Sequence, residues 1–278
     1  MTVANINSTI NARDIPPLTR DETERIAHDE LAIFLNLLEQ LDDGDWEQPT
    51  HCDLWTVRDV VAHQGGHVPG GRGAFGMFAQ LNPRVLRPYQ KRGMNTLDAM
   101  NQAQVDMRRE WPLEKLLAEI REGTRQAIAS RRGMWWPSKL VRVPAPDYGM
   151  IPVDYLLHVV FPRDMWIHRL DITDATGRSF ETKPEHDGVL IAHVVRDMER
   201  NVKKGVPGHA VRLTVDGPAG GTWRLGKGDE IAVTMDVPTF LRASSSRISP
   251  EERRAAVDVS TADEALREKV LASLVAVY

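Results

Sequence analysis

The spacing of apolar residues changes once along this chain, near Gly177, and this change constrains the fold more than any other feature. Before Gly177, apolar residues recur every three or four positions, which is typical of amphipathic helices packed on a core. After Gly177, three segments alternate apolar and polar residues between glycine-rich turns, which is typical of half-buried strands. These segments are 209–217, 221–226 and 229–237. The sequence therefore predicts an all-helical domain followed by a smaller α+β domain.

The helical part can be divided further. Its first predicted helix starts near Asp21 and carries an apolar stripe, and the second starts at Thr56, which has the form of a capping box with Asp59. The remaining helices are predicted at about 96–111, 113–130 and 152–171. Pro162 should bend the last of them, because proline lacks a backbone donor. Connectors without regular structure are predicted at 65–93 and 131–149.

Domain boundaries follow from the same pattern. We predict a lead-in at 1–19, a helical domain at 20–177 and an α+β domain at 178–278. The last domain should also contain helices at 185–204 and 238–243, and a terminal helix that Thr261 and Glu264 would cap.

Composition excludes several classes of protein. The chain has 278 residues, 42% of them hydrophobic, and a net charge of −4, so it can bury a sizeable core, and its charge gives no argument for binding nucleic acid. Its only cysteine, Cys52, excludes an internal disulfide framework and any multi-cysteine zinc site. The absence of a long apolar run and of a secretory signal pattern predicts no membrane span. A cytoplasmic protein is expected.

Three side chains suggest a metal site. Asp164 and His168 are four residues apart, which places them on one face of a helix about 5–6 Å apart between Cβ atoms. His63 lies on the apolar side of the second predicted helix, three residues after Val60. Two imidazoles and a carboxylate can hold a zinc ion and leave one position open. Taken singly, Asp164 and His168 can equally form a surface ion pair, and His63 can be a core histidine.

The residues around these side chains resemble a known family. The segments WEQPTHCDLWTVRDVVAHQGGH (46–67) and RDMWIHRLDITDATGR (163–178) are similar to two motifs of the mycothiol-dependent maleylpyruvate isomerase family, a branch of the DinB/YfiT-like metal-binding superfamily. This resemblance implies a DinB-like four-helix bundle that binds a divalent metal, usually zinc, followed by a small domain resembling sterol carrier protein 2 (SCP2-like). His63, Asp164 and His168 occupy the positions of the metal ligands.

The resemblance has one departure at the metal site and another in the second domain. The isomerases have glutamate where this chain has Asp164, so a closer helix, a bridging water or weaker metal binding must account for the shorter side chain. Relatives carry a Gly-Arg dipeptide whose arginine is implicated in substrate binding. Arg247 falls at that arginine here, and Ser246 replaces the glycine. Arg247 can hold a substrate carboxylate through its planar fork, or it can be a solvated loop arginine.

Two nearby side chains are interpreted differently. His67 follows Gly65 and Gly66, which predict that the helix has already ended, so His67 is not assigned as a ligand. Cys52 is interpreted as a structural thiol, because it does not lie in the first turn of a helix, where a thiolate is best stabilised.

The resemblance implies a metal-dependent enzyme that uses a low-molecular-weight thiol, most simply mycothiol, in thiol transfer to, or isomerisation of, a small electrophile. Its expected partners are this thiol and a small-molecule substrate, with no nucleic acid and no membrane. Whether it is a monomer or a homodimer stays open. Two alternatives remain: a non-catalytic protein of the same fold that binds a small ligand, and a metal-dependent hydrolase.

Overall fold

The computed structural model describes residues 9–72, 76, 79–133, 140–145 and 149–278. It divides into two compact units. One is Thr19–Ser179, here called the helical unit, and the other is Phe180–Tyr278 together with the described residues before Thr19, here called the mixed unit. Within the described part of the chain, no helix has both the length and the apolar character needed to cross a membrane.

The helical unit is built from helices in two sizes. The long ones are α1 (Arg20–Leu38), α2 (Val57–Gly71) and α8 (Phe161–Thr176), and the shorter ones are α3 (Pro83–Gln90), α4 (Thr96–Asp106), α5 (Leu113–Ala118), α6 (Thr124–Arg132) and α7 (Val153–Tyr155). Two π-helical turns, Glu119–Gly123 and Leu156–Val160, join α5 to α6 and α7 to α8. Helices α1, α2, α6 and α8 pack on one another around a buried apolar core.

The start of each long helix agrees with the sequence. Thr19 and Glu22 form a capping box at α1, and Thr56 and Asp59 form the predicted one at α2. The π turn ends at Val160, next to the predicted bend at Pro162. The π turn interrupts the regular α-helical hydrogen bonds, and Pro162 has no backbone N–H to donate one. Both interruptions therefore fall at the same place in the chain.

The strands form a five-stranded sheet in the mixed unit and a separate hairpin in the helical unit. In chain order they are β1 (Ile10–Asn11), β2 (Arg142–Ala145), β3 (Gly149–Pro152), β4 (His209–Asp216), β5 (Gly221–Gly226), β6 (Asp229–Asp236) and β7 (Asp258–Val259). The sheet order is β1-β5-β4-β6-β7, with β4 antiparallel to β5 and parallel to β6. The three strands predicted from alternation form its centre.

Helices cover this sheet and complete the mixed unit. They are α9 (Asp187–Gly205), α10 (Val237–Ser244), α11 (Pro250–Ala256) and α12 (Glu264–Ser273). Helix α9 packs on β4, β5 and α12. The predicted helices at 185–204 and 238–243 correspond to α9 and α10. The N-cap of α12 is Asp263, whose side chain accepts from the Leu266 backbone, so the predicted cap at Thr261 was wrong.

Three segments differ from the expectation of irregular structure. Ile10–Asn11, within the predicted lead-in, pairs in parallel with β5. The predicted connector at 131–149 contains the strands β2 and β3, while its residues 134–139 and 146–148 lie outside the described residues. The predicted connector at 65–93 was also wrong, because α2 continues to Gly71 and α3 follows.

Close packing explains why two glycines do not end α2. Gly65 and Gly66 are both buried within the helix. A Cβ on Gly66 would lie 2.4 Å from Gln104 Cβ, and one on Gly65 would lie 2.7 Å from Glu119 Oε2. The glycines therefore allow α4 and the π turn after α5 to approach α2, which a side chain would prevent.

Replacing Gly66 with alanine is expected to destabilise the protein. The added methyl group would force α2 and Gln104 apart, and overpacking of this kind costs about 1–3 kcal/mol, against a gain of about 1 kcal/mol in helix propensity. We expect a net decrease in the free energy of unfolding, measured by urea denaturation. Gly44→Ala is the control, since its Cβ would meet nothing within 4 Å. If both variants were equally stable, the close approach at Gly66 would be contradicted.

Candidate metal centre

His63 lies in the second turn of α2 and is oriented by an amide. Its Nδ1 is 2.9 Å from Gln104 Oε1. An amide oxygen can only accept, so Nδ1 carries the proton and Nε2 presents its lone pair. Gln104 is fixed in turn, because its amide nitrogen donates to Gln80 Oε1 at 3.2 Å. His63 is 1% exposed, so this tautomer is set by packing between α2 and α4.

His168 lies on α8 and is oriented by a carboxylate. Its Nδ1 is 2.7 Å from Asp171 Oδ2, and both side chains are buried. Its Nε2 lies on the other side of the ring, 3.6 Å from Asp164 Oδ1. A carboxylate behind a histidine fixes the ring and increases its basicity, which is the usual arrangement of a metal-ligating histidine.

Asp164 lies at the centre of the cluster. The sequence left open whether its side chain, which is shorter than glutamate, could reach a metal. Its Oδ2 is 3.4 Å from His63 Nε2, and its Oδ1 is the atom next to His168. Gln64 also donates to Oδ2 from α2. Helices α2 and α8 pack directly against each other. The Asp164 carboxylate therefore reaches side chains of both helices, and whether it also reaches a metal stays a prediction.

His67 also belongs to this cluster, contrary to the sequence interpretation. Because α2 continues through Gly65 and Gly66, His67 lies one turn beyond His63 on the same face. Its Nδ1 is 3.5 Å from Asp164 Oδ2, and its ring stacks on Phe161 with 4.5 Å between centroids. The i, i+4 spacing of the two histidines was the signal that could have identified it.

The donor distances suit a metal ion. Ligand atoms about 2.0–2.1 Å from a tetrahedral zinc ion are about 3.3 Å from one another. Candidate ligand atoms of His63, His67 and Asp164 all lie within 4.8 Å of one another, and the contacts of Asp164 with the three histidines are 3.4–3.6 Å. The residues present therefore fit a divalent ion, without showing which of the three histidines would hold it.

Cys52 and His51 lie on the loop before α2, beside the end of α8. Cys52 Sγ is 3.8 Å from Asp171 Oδ2, and Cys52, His168 and Asp171 form a second group of close donor atoms. His51 Nε2 lies 2.8 Å from Asp174 Oδ2. The thiol thus contacts the carboxylate that orients His168, a position that the sequence did not predict.

Aromatic rings enclose the imidazoles. The Trp55 ring lies 4.8 Å from the His63 ring and 6.1 Å from the His168 ring, between centroids. The Trp55 indole donates to Gln102 Oε1 at 3.0 Å, which fixes the ring in place. Trp55 and Phe161 therefore exclude water from two sides of the cluster, and this strengthens the electrostatic interactions within it.

The protonation states follow from burial and from neighbouring charges. Burial alone would raise the pKa of Asp164, but the charges of the histidines, His168 first, hold that pKa well below its usual value. Burial alone would lower the pKa of His168, but the charge of Asp164 and the hydrogen bond to Asp171 raise it to about 10. Burial, together with the charge of His63, lowers the pKa of His67 to about 3. Without metal, His168 and Asp164 form a buried ion pair, and His67 is neutral.

A small pocket, to which His67 contributes, opens beside the cluster in the helical unit. Four of its polar lining residues come from three helices: Gln64 and His67 from α2, Glu30 from α1 and Arg131 from α6. Phe161 supplies part of its apolar wall. The pocket therefore adjoins the cluster through His67 and through Gln64, the partner of Asp164.

Arg247 lies in the mixed unit, where its guanidinium donates to the Ser245 carbonyl at 3.5 Å and its backbone N–H donates to the Arg242 carbonyl. Its role stays a prediction. Ser246 has a φ of 60°, the left-handed region that favours glycine. A glycine at this position would adopt that conformation without strain, whereas serine adopts it less readily.

The fold and the cluster define a class of protein: a helical unit in which histidines from two helices converge on a buried carboxylate, joined in one chain to a unit with a mixed sheet. Residues 27–173 match the family model described as mycothiol maleylpyruvate isomerase N-terminal domain. This match spans just over half of the chain, which therefore belongs to that family.

Two solved structures share the fold across both units. The crystal structure of the mycothiol-dependent maleylpyruvate isomerase covers 92% of this chain and 97% of its own, with 16% identity and a TM-score of 0.57. A histidine-to-alanine mutant of that isomerase has the same coverage and identity and a TM-score of 0.55. No curated protein matches the sequence significantly.

The pKa of His168 predicts how the stability of the metal-free protein changes with pH. It is about 10 in the folded state and roughly 6.5 in an unfolded chain, so folding favours the protonated form. This contribution to stability is fully present below about pH 6.5 and is lost as the pH rises through about 10. Urea denaturation in EDTA should show this decrease in the free energy of unfolding.

Asp164→Asn should flatten that dependence, because it removes the charge that stabilises the imidazolium. Asp174→Asn is the matched control on the same helix, since its partner is His51 rather than His168. Equal pH dependence in the Asp164→Asn protein and the wild type would contradict the buried ion pair.

Proposed function

We propose that this chain is a metal-dependent enzyme that uses a low-molecular-weight thiol, mycothiol, to isomerise a small electrophile or to form a thiol adduct with it. The observation that carries the proposal is the position of Asp164, whose two carboxylate oxygens lie 3.4–3.6 Å from nitrogen atoms of three histidines, two of them buried. Membership of the isomerase family and the fold shared with the solved isomerase support the thiol. Both reactants are small molecules, which the cytoplasm would supply.

The proposed ligands are His63, Asp164 and His168, with zinc as the expected ion. His63 and His168 each have Nδ1 engaged and Nε2 directed at the carboxylate, which supports this set. When bound, a divalent metal would supply a Lewis acid that keeps a thiol deprotonated near neutral pH. His67 is the candidate for an additional ligand, and its low pKa keeps its nitrogen atoms available at neutral pH.

The chain's own groups have defined tasks in this proposal. His168 must lose its proton before Nε2 can act as a ligand, so metal binding releases a proton and strengthens as the pH rises. Asp171 then holds the neutral ring in place through Nδ1–H. Trp55 and Phe161 limit the access of water, so that the thiolate reacts with the electrophile rather than exchanging protons with solvent.

The proposed architecture follows the family. Helices α1, α2, α6 and α8 would form the DinB-like four-helix bundle, within residues 20–177. The sheet with α9 would form the SCP2-like domain, within 178–278. Arg247 would contribute the substrate-binding arginine of that domain, a role supported by the left-handed backbone at Ser246.

The second candidate function is binding of a small ligand without metal or catalysis. One observation favours it: Asp164 already accepts from Gln64 and pairs with protonated His168, so the cluster is electrostatically satisfied by itself. A hydrolase using a metal-bound water remains the third alternative. Metal content and dependence on thiol distinguish all three.

Alanine at His63, Asp164 or His168 should remove bound metal. Each change deletes a donor at the centre of the cluster, so we expect the zinc dissociation constant to rise more than about a hundredfold, beyond the usual cost of outer-shell changes. Chelator competition and elemental analysis of protein purified without EDTA measure this. His67→Ala, tested in parallel, shows whether a fourth protein ligand exists.

His51→Ala is the matched control, because His51 lies near the cluster but pairs with Asp174 at its edge. Gln104→Leu should weaken zinc binding by about 10- to 100-fold, since it frees the tautomer of His63. If the wild type held no zinc and EDTA left its melting temperature unchanged, the ligand-binding alternative would replace the enzyme.

The zinc-loaded protein should convert cis-unsaturated keto acids such as maleylpyruvate only when mycothiol is present, because the thiolate is the nucleophile that opens the double bond to rotation. Ultraviolet absorbance follows the loss of substrate, and mass spectrometry detects a stable adduct. The His168→Ala protein should be inactive. Turnover that does not depend on the thiol would instead support the hydrolase.

A further inference from the structure

The pocket beside the candidate ligands contains a buried cation without a carboxylate partner. Arg131, in the last turn of α6, is 6% exposed and lines the pocket together with His67 and Phe161. Its Nη1 donates to the Leu157 carbonyl at 2.8 Å, while its Nε has no hydrogen-bond partner among the described residues. No ion pair joins Arg131 to a carboxylate in the described part of the chain. Burying an unpaired charge is costly, so a ligand is the natural counterpart.

The surroundings keep this guanidinium in place but do not neutralise it. Its Cζ lies 5.0 Å from the centre of the Phe161 ring, the same ring on which His67 stacks. A Cβ on Gly71 would lie 2.6 Å from Arg131 Nη2. The absence of a side chain at Gly71 therefore leaves room on α2 for the guanidinium. Burial lowers the pKa of Arg131 to about 10, which still leaves it charged at neutral pH.

Arg131 differs from its neighbour Arg132 in every relevant respect. Arg132 is exposed and forms ion pairs with Glu24 and Asp21. Arg131 is buried and lines the pocket together with His67. The chain thus places one arginine in a surface ion pair and the next at the wall of the pocket.

We propose that Arg131 is a carboxylate-binding residue, which holds an acid group of the substrate in this pocket next to the candidate metal ligands. This inference rests on the proposed function and adds to it a substrate-binding residue in the helical unit. A guanidinium presents paired N–H donors that match the two oxygens of a carboxylate. Glu30 also lines the pocket, but its Oε2 faces Arg169 at 3.7 Å, so its charge is directed to another cation.

Binding of maleate to the metal-free protein tests the proposal. Calorimetry in EDTA excludes coordination of the probe to a metal, and dimethyl maleate and inorganic sulfate serve as uncharged and non-carboxylate comparisons. We expect maleate alone to bind, and Arg131→Met to weaken it by about ten- to a hundredfold, as expected for loss of a charge-assisted pair. Arg131→Lys should fall between, and Arg132→Gln should leave the affinity unchanged.

Thermal stability separates binding from a structural role. If Arg131 is unpaired until a ligand arrives, Arg131→Met should melt no lower than the wild type without ligand and should lose the stabilisation by maleate. An Arg131→Met protein that unfolds, or that binds maleate as tightly as the wild type, would overturn the proposal. Binding of sulfate as tightly as maleate would also overturn the proposal. Zinc content and thiol dependence are measured separately, so failure of the carboxylate site leaves the proposed enzyme standing, and the reverse also holds.

Discussion

The packing of α2 against α8 depends on one largely buried carboxylate. Asp164 meets His63, His67 and Gln64 from α2, while protonated His168, on its own helix, neutralises its charge. A buried carboxylate without these partners would be strongly unfavourable. The two helices are therefore held in register by chemistry that can also bind a metal. A change in the packing of α2 against α8 would therefore also change the geometry of the Asp164 cluster.

Much of the fold could be predicted from local pattern, because the signals were local. The capping box at Thr56 marks the start of α2, and alternation marks the central strands of the sheet. The end of α2 could not be predicted, since the meaning of Gly65 and Gly66 depends on what packs against them. Gln104 and Glu119 take up the space of the absent side chains, and nothing within 46–67 indicates this. The sequence interpretation therefore ended the helix about two turns too early.

Because α2 was predicted to end too early, the metal site predicted from the sequence was incomplete. His63, Asp164 and His168 were predicted from spacing and family resemblance, and Asp164 lies 3.4 Å from His63 and 3.6 Å from His168, while their role as ligands stays a prediction. His67 was set aside only because the helix was thought to end before it. Gln104 had no sequence signal at all, since an amide on a separate helix becomes an orienting group only through tertiary packing.

Charge balance connects the candidate metal centre with the pocket beside it. Binding of a divalent ion adds two positive charges and expels one proton from His168, so the cluster becomes more positive by one unit in a region of low dielectric. Arg131 contributes another uncompensated positive charge at the wall of the same pocket. Such a site favours anionic ligands over neutral ones, because each anion it binds removes an electrostatic penalty that the folded protein already carries. A thiolate at the ion and a carboxylate at Arg131 would together supply that compensation, and this is the pair of reactants that the proposed reaction requires.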